Sequence, residues 1–266
     1  MQEKSCNIKK DMNKINAIRK IRQKLKQGKP SVGSWMHIAH ASVAEIMGAA
    51  GYDWVAVDME HGSIDISELP DLFRALELNS TLPLVRLGQG DPKECKQALD
   101  AGAGGVIVPM VETAEQLISV RNACCWPPAG SRGVGFSRAN LFGKNFETYR
   151  IEAQAPILVA MIENFRAVEN LEAILRVEGL DAILIGPYDL SASLNKTGKF
   201  QDQTFKSNVK KVRKLCRQRK IPFGVHVIDP DSKIVFQQMK KGYQFIPFSI
   251  DAVILNRSAT NPLNKK

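Results

Sequence analysis

Four apolar stretches of the sequence end in residues that can bind a metal or move a proton. One runs into residues 58–62, which contain His61, and another ends at Arg86. The other two end at Glu163 and in residues 186–189, a Gly-Pro-Tyr-Asp sequence. If all four are parallel strands of one barrel, their carboxyl ends meet at the face that carries the active site in such barrels. The pattern predicts acids, a histidine and an arginine around one mouth.

Glu163 and Asp189 are the candidate metal ligands. Two carboxylates from adjacent strands, with few other protein ligands, suit a hard divalent cation that keeps several waters. Glu163 ends an apolar strand, where an uncompensated charge is costly. The alternative is that each acid pairs with Arg86 or that Asp189 stabilises the start of a helix with Pro187 in its first turn.

The same residues could stabilise an enolate. The helix start at residues 187–189 presents free backbone amides that can bind a substrate carboxylate. Arg86 can then neutralise an oxygen on which negative charge develops. His61 is the candidate proton-transfer group because its ordinary pKa lies near neutrality, with a structural hydrogen bond as the alternative role. No lysine lies at the end of a predicted strand, which argues against a Schiff-base aldolase.

Three further histidines keep a second chemistry open. His37, His40 and His226 fall near predicted strand ends, as the ligands of a zinc hydrolase could. Their spacing argues against that class. Residues 37 and 40 are three apart and would face opposite sides of a continuing strand, whereas paired ligands need a step of two.

The elements that position these residues are short apolar segments alternating with amphipathic ones. This pattern is typical of parallel strands joined by helices, and eight strands close a (β/α)8 TIM barrel. We assign the barrel to residues 31–266 and a basic N-terminal arm to residues 1–30. The predicted strands are residues 33–38, 54–58, 83–87, 105–110, 157–163, 182–186, 222–227 and 244–249.

The N-terminal arm carries most of the positive charge. The chain has a formal net charge of +10, and ten basic against two acidic residues lie in residues 1–30. Apolar residues recur there at helical spacing, which predicts an amphipathic helix: Ile8, Met12, Ile15, Ile18, Ile21 and Leu25. We expect it to lie on the barrel with its charges in water. Binding of an acidic partner is the alternative, and a nucleic-acid partner is not expected.

Composition excludes several classes of protein. A hydrophobic fraction of 44% is ordinary for a globular protein, and the longest apolar runs are too short to cross a bilayer. The N-terminus lacks the apolar run of a secretory signal, so a cytoplasmic location is expected. The five cysteines do not have the spacing of a zinc site, which predicts reduced thiols.

One long connection, residues 125–155, contains the sequence GSRGVGF. A long insertion in a compact domain usually serves function or assembly. It begins at the amino-terminal ends of the strands, so we expect any role at an active site to be played in a neighbouring subunit.

Taken together, these residues resemble the HpcH/HpaI aldolase family of metal-dependent pyruvate aldolases. The similarity covers about residues 20–255. Five sequences carry it, in order: DWVAVDMEH (53–61), PLVR (83–86), VPM (108–110), PPAGSRGVG (127–135) and IGPYDLS (185–191). The resemblance implies that Glu163 and Asp189 bind Mg2+, Mn2+ or Co2+ and that Arg86 binds the keto or enolate oxygen.

The resemblance also implies the reaction. A 4-hydroxy-2-oxo acid would chelate the cation, its hydroxyl proton would pass toward His61, and cleavage would release an aldehyde and leave metal-stabilised pyruvate enolate. The family pairs this histidine with an aspartate that falls on Asp100. Because Asp100 lies at the far end of its own barrel, the pair would cross a subunit interface. The resemblance thus implies a homo-oligomer, a hexamer with an exchanged C-terminal helix.

Two positions depart from the family pattern. Met161 stands where familiar members have a glutamine that binds pyruvate, and Met59 stands where they have glycine. These departures leave open a related lyase or decarboxylase that forms an enolate from another oxo acid. A non-catalytic binder that uses the basic arm is a third possibility. The substrate side chains expected at the mouth are Trp35, His37, Arg86, Phe136, Gly186, Pro187, Tyr188, Asp189 and Val227.

Overall fold

The computed structural model describes residues 13–263. Their strands form one closed parallel barrel in chain order, in which each strand pairs with the next and β8 with β1. The predicted (β/α)8 fold is therefore confirmed. The strands are β1 (Ser31–Met36), β2 (Trp54–Asp58), β3 (Leu82–Arg86), β4 (Gly105–Val108), β5 (Ile157–Ile162), β6 (Ala182–Ile185), β7 (Phe223–Val225) and β8 (Phe245–Ile250).

Helices surround the barrel and follow the strands in the expected alternation. A 3-10 helix, Arg138–Gly143, lies in the long connection before β5. The α-helices are α1 (Lys14–Lys26), α2 (Ala41–Ala49), α3 (Leu69–Glu77), α4 (Pro92–Ala101), α5 (Ala114–Cys124), α6 (Phe146–Glu152), α7 (Phe165–Glu169), α8 (Leu171–Ile174), α9 (Pro187–Ser193), α10 (Gln203–Arg219), α11 (Ser232–Lys240) and α12 (Asp251–Ser258). None of the helices within residues 13–263 is both long and apolar enough to cross a bilayer.

Three strands, β1, β4 and β7, end two residues earlier than predicted. After β1, the backbone N–H groups of His37 and Ile38 turn away from the sheet and donate to the carboxylate of Asp251, at 2.9 and 3.0 Å. After β4, Pro109 has no N–H to donate, and Met110 has a φ of 48° in the left-handed region. The predicted seventh strand, residues 222–227, keeps only Phe223–Val225.

The barrel interior is filled by large side chains. The Trp54 indole stacks on Phe245 with ring centroids 4.3 Å apart, and Trp35 meets Trp54 edge to face at 6.5 Å. Gly33 makes room for this packing, since a β-carbon there would lie 2.1 Å from the Trp54 ring. The interior is thus a packed core below the mouth rather than a pore.

Helix α1 covers the amino-terminal end of the barrel. Ile18, Ile21 and Leu25 are buried in the same cluster as the first residues of several strands. The amphipathic helix is confirmed from Lys14 onward, whereas Ile8 and Met12 lie outside the described residues. The division of the chain at residue 30 stays a prediction.

Three cations of α1 pair with acids of the barrel. Arg22 Nε lies 2.6 Å from Asp181 Oδ1, and Lys24 Nζ lies 2.6 Å from Asp53 Oδ1. Lys14 Nζ lies 3.6 Å from Glu152 Oε1 and 3.8 Å from Glu77 Oε1. The basic face of α1 is therefore partly engaged within the chain.

Candidate active site

Asp58 and Arg86 form the centre of the mouth. They are register partners at the ends of β2 and β3, so their side chains emerge next to each other. Arg86 Nε donates to Asp58 Oδ1 at 2.7 Å, and Nη2 donates to Oδ2. Both residues are buried. A two-bond pairing of this kind fixes the guanidinium plane as well as its charge.

Asp58 also contacts groups other than Arg86. Its Oδ2 lies 2.6 Å from Nε2 of His37, and its Oδ1 accepts the backbone N–H groups of Glu60 and His61 at 3.1 and 3.4 Å. Burial alone would raise the pKa of Asp58, but the hydrogen bonds from His37 and Arg86 outweigh burial and hold that pKa well below its ordinary value. Asp58 is therefore a permanent anion that organises its neighbours.

Arg86 faces a second acid and an aromatic ring. Its Nη1 lies 2.9 Å from Glu60 Oε2, and its guanidinium carbon lies 4.7 Å from the centre of the Trp35 ring. Trp35 is only 2% exposed. Stacking on a buried ring strengthens the hold on a cation because water is excluded. Trp35 thus lies under Arg86 at the base of the mouth.

Glu163 is a buried acid with little positive charge nearby to compensate its own. Its Oε2 accepts the N–H of Met110 at 2.9 Å, and the residue is 2% exposed. Burial raises its pKa to about 7, and the nearby carboxylates of Glu60 and Asp189 add to the rise. Glu163 and Asp189 therefore lie in one electrostatic neighbourhood, as the sequence predicts.

Gly186 lies next to the Glu163 carboxylate. Ile162 and Ile185 are register partners, so Glu163 and Gly186 follow side by side. Gly186 precedes Pro187, the first residue of α9, and Asp189 lies exposed in the first turn of that helix. Tyr188 is 50% exposed and meets Phe200 edge to face. Residues 186–189 all lie at the mouth.

The donor set fits a divalent cation. Four carboxylates meet at the mouth, those of Asp58, Glu60, Glu163 and Asp189, and Arg86 is already paired with two of them. An excess of buried negative charge favours a cation with oxygen ligands. Within residues 13–263 no group of three or more His, Cys, Asp and Glu side chains could hold a metal. Any ion would therefore have two protein ligands and otherwise water or substrate.

The histidines do not form a zinc site. His40 is the N-cap of α2, and its Nδ1 accepts the N–H of Ser42 at 3.2 Å. His226 Nε2 lies 3.3 Å from the carbonyl oxygen of Ser249, and burial lowers the pKa of His226 to about 4. His37 instead pairs with Asp58. The described residues give the zinc hydrolase alternative no support.

His61 and Asp100 lie at opposite ends of the barrel. The His61 ring is exposed beside Glu60; burial raises the pKa of Glu60, and the nearby Arg86 and His61 oppose that rise. Asp100 lies in the last turn of α4, with its Oδ1 4.0 Å from Nη1 of the buried Arg132. Burial raises the pKa of Asp100, while the charges of Arg132 and Lys96 oppose that rise. The chain does not bring the two predicted catalytic residues together by itself.

Two other residues expected at the mouth have different surroundings. Phe136 is 75% exposed on the long connection, where its ring packs edge to face on Phe146, so it is not among the strand ends of its own chain. Val227 is buried and bridges to Phe248. Met161 is 4% exposed and faces the barrel interior.

Sequence reasoning missed two contacts of the site. The pairing of His37 with Asp58 depends on strand register, although both residues follow recognisable strands. The Met110 N–H that binds Glu163 is a backbone group in the left-handed region, and side-chain type gives no signal of it.

Known proteins resemble this chain over most of its length. Residues 31–256 match the HpcH/HpaI aldolase/citrate lyase family. A hydroxypyruvate/pyruvate aldolase of Roseobacter denitrificans is 36% identical over 239 residues, which cover 88% of this chain and 92% of that protein. A 4-hydroxy-2-oxovalerate aldolase of Novosphingobium aromaticivorans is 36% identical over 244 residues, which cover 91% and 92%.

A solved structure shows the same fold. The crystal structure of an HpcH/HpaI aldolase/citrate lyase family protein from Burkholderia cenocepacia superposes with a TM-score of 0.83 and 30% identity. The match covers 90% of this chain and 95% of that one. The named relatives are aldolases, and aldolases are carbon–carbon lyases. The chain belongs to the HpcH/HpaI aldolase/citrate lyase family.

Proposed function

We propose that this protein is a divalent-metal-dependent aldolase that reversibly cleaves a 4-hydroxy-2-oxo acid to pyruvate and an aldehyde. The observation that carries the proposal is the placement of Glu163. Its carboxylate is buried at the mouth, has a raised pKa and lies near both Asp189 and Arg86. A buried acid in this position needs a cation, and the aldolases of the family generally depend on a divalent metal.

Glu163 and Asp189 would hold the ion, which can be Mg2+, Mn2+ or Co2+. When bound, such an ion would draw electron density from the 2-oxo group of the substrate. The backbone at residues 187–189 would orient the substrate carboxylate. Trp35 closes the interior beneath the substrate and limits the access of water from that side.

Arg86 would bind the oxygen that becomes negative during cleavage. Its guanidinium is already oriented by Asp58, so it need not reorganise when charge develops. His61 would accept the proton of the 4-hydroxyl group as the C3–C4 bond breaks. Met161 offers the substrate no hydrogen bond, so Arg86 has a larger share in binding the oxo acid than in relatives with glutamine.

We propose that the working enzyme is a homo-oligomer in which Asp100 of one subunit orients His61 of another. The Asp100 side chain is 27% exposed, so part of it is accessible to a group from another subunit. The long connection also exposes a set of apolar side chains, as subunit interfaces do before assembly: Val134, Phe136, Leu141 and Phe142. The hexamer stays a prediction from the resemblance.

The alternative of a non-catalytic binder is less well supported. Lys14, Arg22 and Lys24 of α1 are engaged with acids of the barrel and are not free for a partner. The cytoplasmic location stays a prediction from the N-terminal sequence.

An assay of pyruvate release tests the proposal. Racemic 4-hydroxy-2-oxovalerate is supplied, and pyruvate is measured with lactate dehydrogenase and NADH. We expect release that stops in EDTA and returns with Mg2+ or Mn2+. Glu163→Gln should reduce it by about 100-fold or more, whereas Glu169→Gln, on the exposed surface of α7, should not. Release that EDTA does not affect, or full activity of Glu163→Gln, would contradict the proposal.

A further inference from the structure

His37 has the surroundings of a proton-transfer group. Its Nε2 lies 2.6 Å from Oδ2 of Asp58, and that nitrogen is buried and makes no other polar contact among the described residues. The side chain as a whole is 22% exposed, whereas that of Asp58 is 0% exposed. The exposed part of the His37 ring is therefore the part away from Nε2.

Contacts to both the backbone and the ring position His37. Asp251 accepts the backbone N–H groups of His37 and Ile38 and thereby fixes the turn after β1. Asp58 is ionised and also binds Arg86, and its Oδ2 is the nearest acceptor to Nε2, so we infer that His37 carries a hydrogen on Nε2. Nδ1 is then the nitrogen left for substrate. A buried carboxylate that fixes the tautomer of an imidazole is a recurring arrangement in acid–base catalysis.

Among the described residues, none is seen to support the ring of His61 in this way. Its ring is exposed, and its contact with Asp58 is made through the backbone N–H. In the proposed function its orienting acid comes from another subunit. The mouth thus contains two histidines in different settings. His37 is positioned by its own chain, whereas His61 would be positioned by another subunit.

The reaction needs two proton transfers at different atoms. Cleavage removes a proton from the 4-hydroxyl oxygen, and the enolate that remains must gain a proton at C3 to become pyruvate. His37 shares Asp58 Oδ2 with Arg86, the residue proposed to bind the enolate oxygen. The enolate oxygen is two bonds from C3, so a ring next to the guanidinium that binds this oxygen would also be close to C3.

We propose that His37 is the catalytic residue that adds the proton to C3 of pyruvate enolate, while His61 serves the hydroxyl oxygen. In the cleavage direction the electron pair of the C3–C4 bond becomes the C2–C3 double bond. His37, which has taken a second proton from solvent at Nδ1, then gives that proton to C3, and the oxygen electrons restore the carbonyl group. His37 regains a proton from solvent, and His61 releases one.

This inference rests on the proposed function, and exchange of pyruvate methyl protons separates the two. The protein is incubated with pyruvate in D2O in the presence of Mg2+ that contains no Mn2+. Loss of the methyl signal of pyruvate is followed by proton NMR. Exchange reports enolate formation and reprotonation without any carbon–carbon cleavage. Wild-type protein should catalyse exchange and also release pyruvate from 4-hydroxy-2-oxovalerate.

The variants give opposite expectations. His37→Gln, whose amide can still donate to Asp58, should slow exchange by about 100-fold or more, within the usual range for loss of an acid–base group. His61→Asn should lose cleavage by a similar factor and keep exchange within about threefold of wild type. His40→Asn, which keeps the N-cap of α2, should change neither.

Chemical rescue distinguishes catalysis from a structural role. Added imidazole should restore exchange in His37→Ala by about tenfold or more and should not affect His37→Gln, whose side chain fills the site. Wild-type exchange in His37→Gln, or equal loss of exchange in His61→Asn, would overturn the assignment. If wild-type protein neither exchanges nor cleaves, the proposed function fails, and the role of His37 fails with it.

Discussion

The carboxylate of Glu163 lies against the α-carbon of Gly186. A β-carbon at residue 186 would come within 2.4 Å of Glu163 Oε1 and 2.7 Å of its γ-carbon. The backbone of Gly186 has a φ of −92°, which any residue can adopt. Glycine is therefore required here for space, because the Glu163 carboxylate, the proposed metal ligand, occupies the volume that a side chain would fill.

Gly186→Ala should consequently displace the Glu163 carboxylate while leaving the barrel intact. We expect pyruvate release to fall by about 100-fold, the effect of moving a reacting group by about 1 Å. Circular dichroism should show unchanged secondary structure. An alanine variant with wild-type activity and metal affinity would show that Glu163 does not need its observed position.

The pH dependence of stability reports the charge on Glu163 in metal-free protein. Its folded-state pKa of about 7 lies above the ordinary value of 4.5, so the folded state binds the proton more tightly than the unfolded chain. This contribution is present at low pH and is lost as the pH rises toward 7. Integrated over that interval, the loss is about 3 kcal/mol.

Glu163→Gln removes this titration. In EDTA, wild type should be less stable than Glu163→Gln at pH 8 by up to about 3 kcal/mol more than at pH 5. Urea unfolding of both proteins at the two pH values measures the difference. Mg2+ should then stabilise wild type at pH 8 and leave Glu163→Gln unchanged. A difference that does not vary with pH would exclude a buried, strained carboxylate.

Arg86 and Asp58 should be strongly coupled. Arg86→Met leaves Asp58 as a buried charge without its main partner, and loss of one partner of such a pair costs about 3–5 kcal/mol. Adding Asp58→Asn removes the unpaired charge. We expect the double variant to recover part of the lost stability in urea unfolding, so the two effects should not add. Simple additivity would mean that the ion pair does not hold the mouth together.

Shared active sites can be tested by mixing two inactive variants. His61→Asn and Asp100→Asn each lack one member of the proposed pair. If the pair crosses an interface, mixed oligomers contain some sites with both native residues. About a quarter of wild-type activity should return when equal amounts are dissociated and reassembled, a fraction that follows from random mixing in a symmetric oligomer. No recovery, despite verified mixing, would remove Asp100 from the site.

Much of the barrel was predictable because its strands are nearly continuous apolar runs, as expected for parallel strands buried on both faces. Strand ends were harder to predict. The predicted first strand includes residues 37 and 38, yet their N–H groups leave the sheet for Asp251. The position of this strand end depends on an acid more than 200 residues away in the sequence, which the local sequence does not reveal.

Some features of the site were likewise predictable from the sequence, and others were not. Glu163, Arg86 and Asp189 could be identified because charged residues that end apolar strands must meet at one face. The orientation of Arg86 by Asp58 depends on the register of β2 against β3. Register is a property of the closed barrel, so the pairing with His37 also had to await the structure.

The central claim is that Glu163 and Asp189 together bind one divalent cation, and direct measurement of Mn2+ binding tests it. Wild type, Glu163→Gln, Asp189→Asn and the exposed control Glu169→Gln are titrated with Mn2+, and free ion is followed by electron paramagnetic resonance. The account predicts one site per chain in wild type and Glu169→Gln, with affinity at least tenfold lower in each ligand variant. Unchanged affinity in both ligand variants would contradict it.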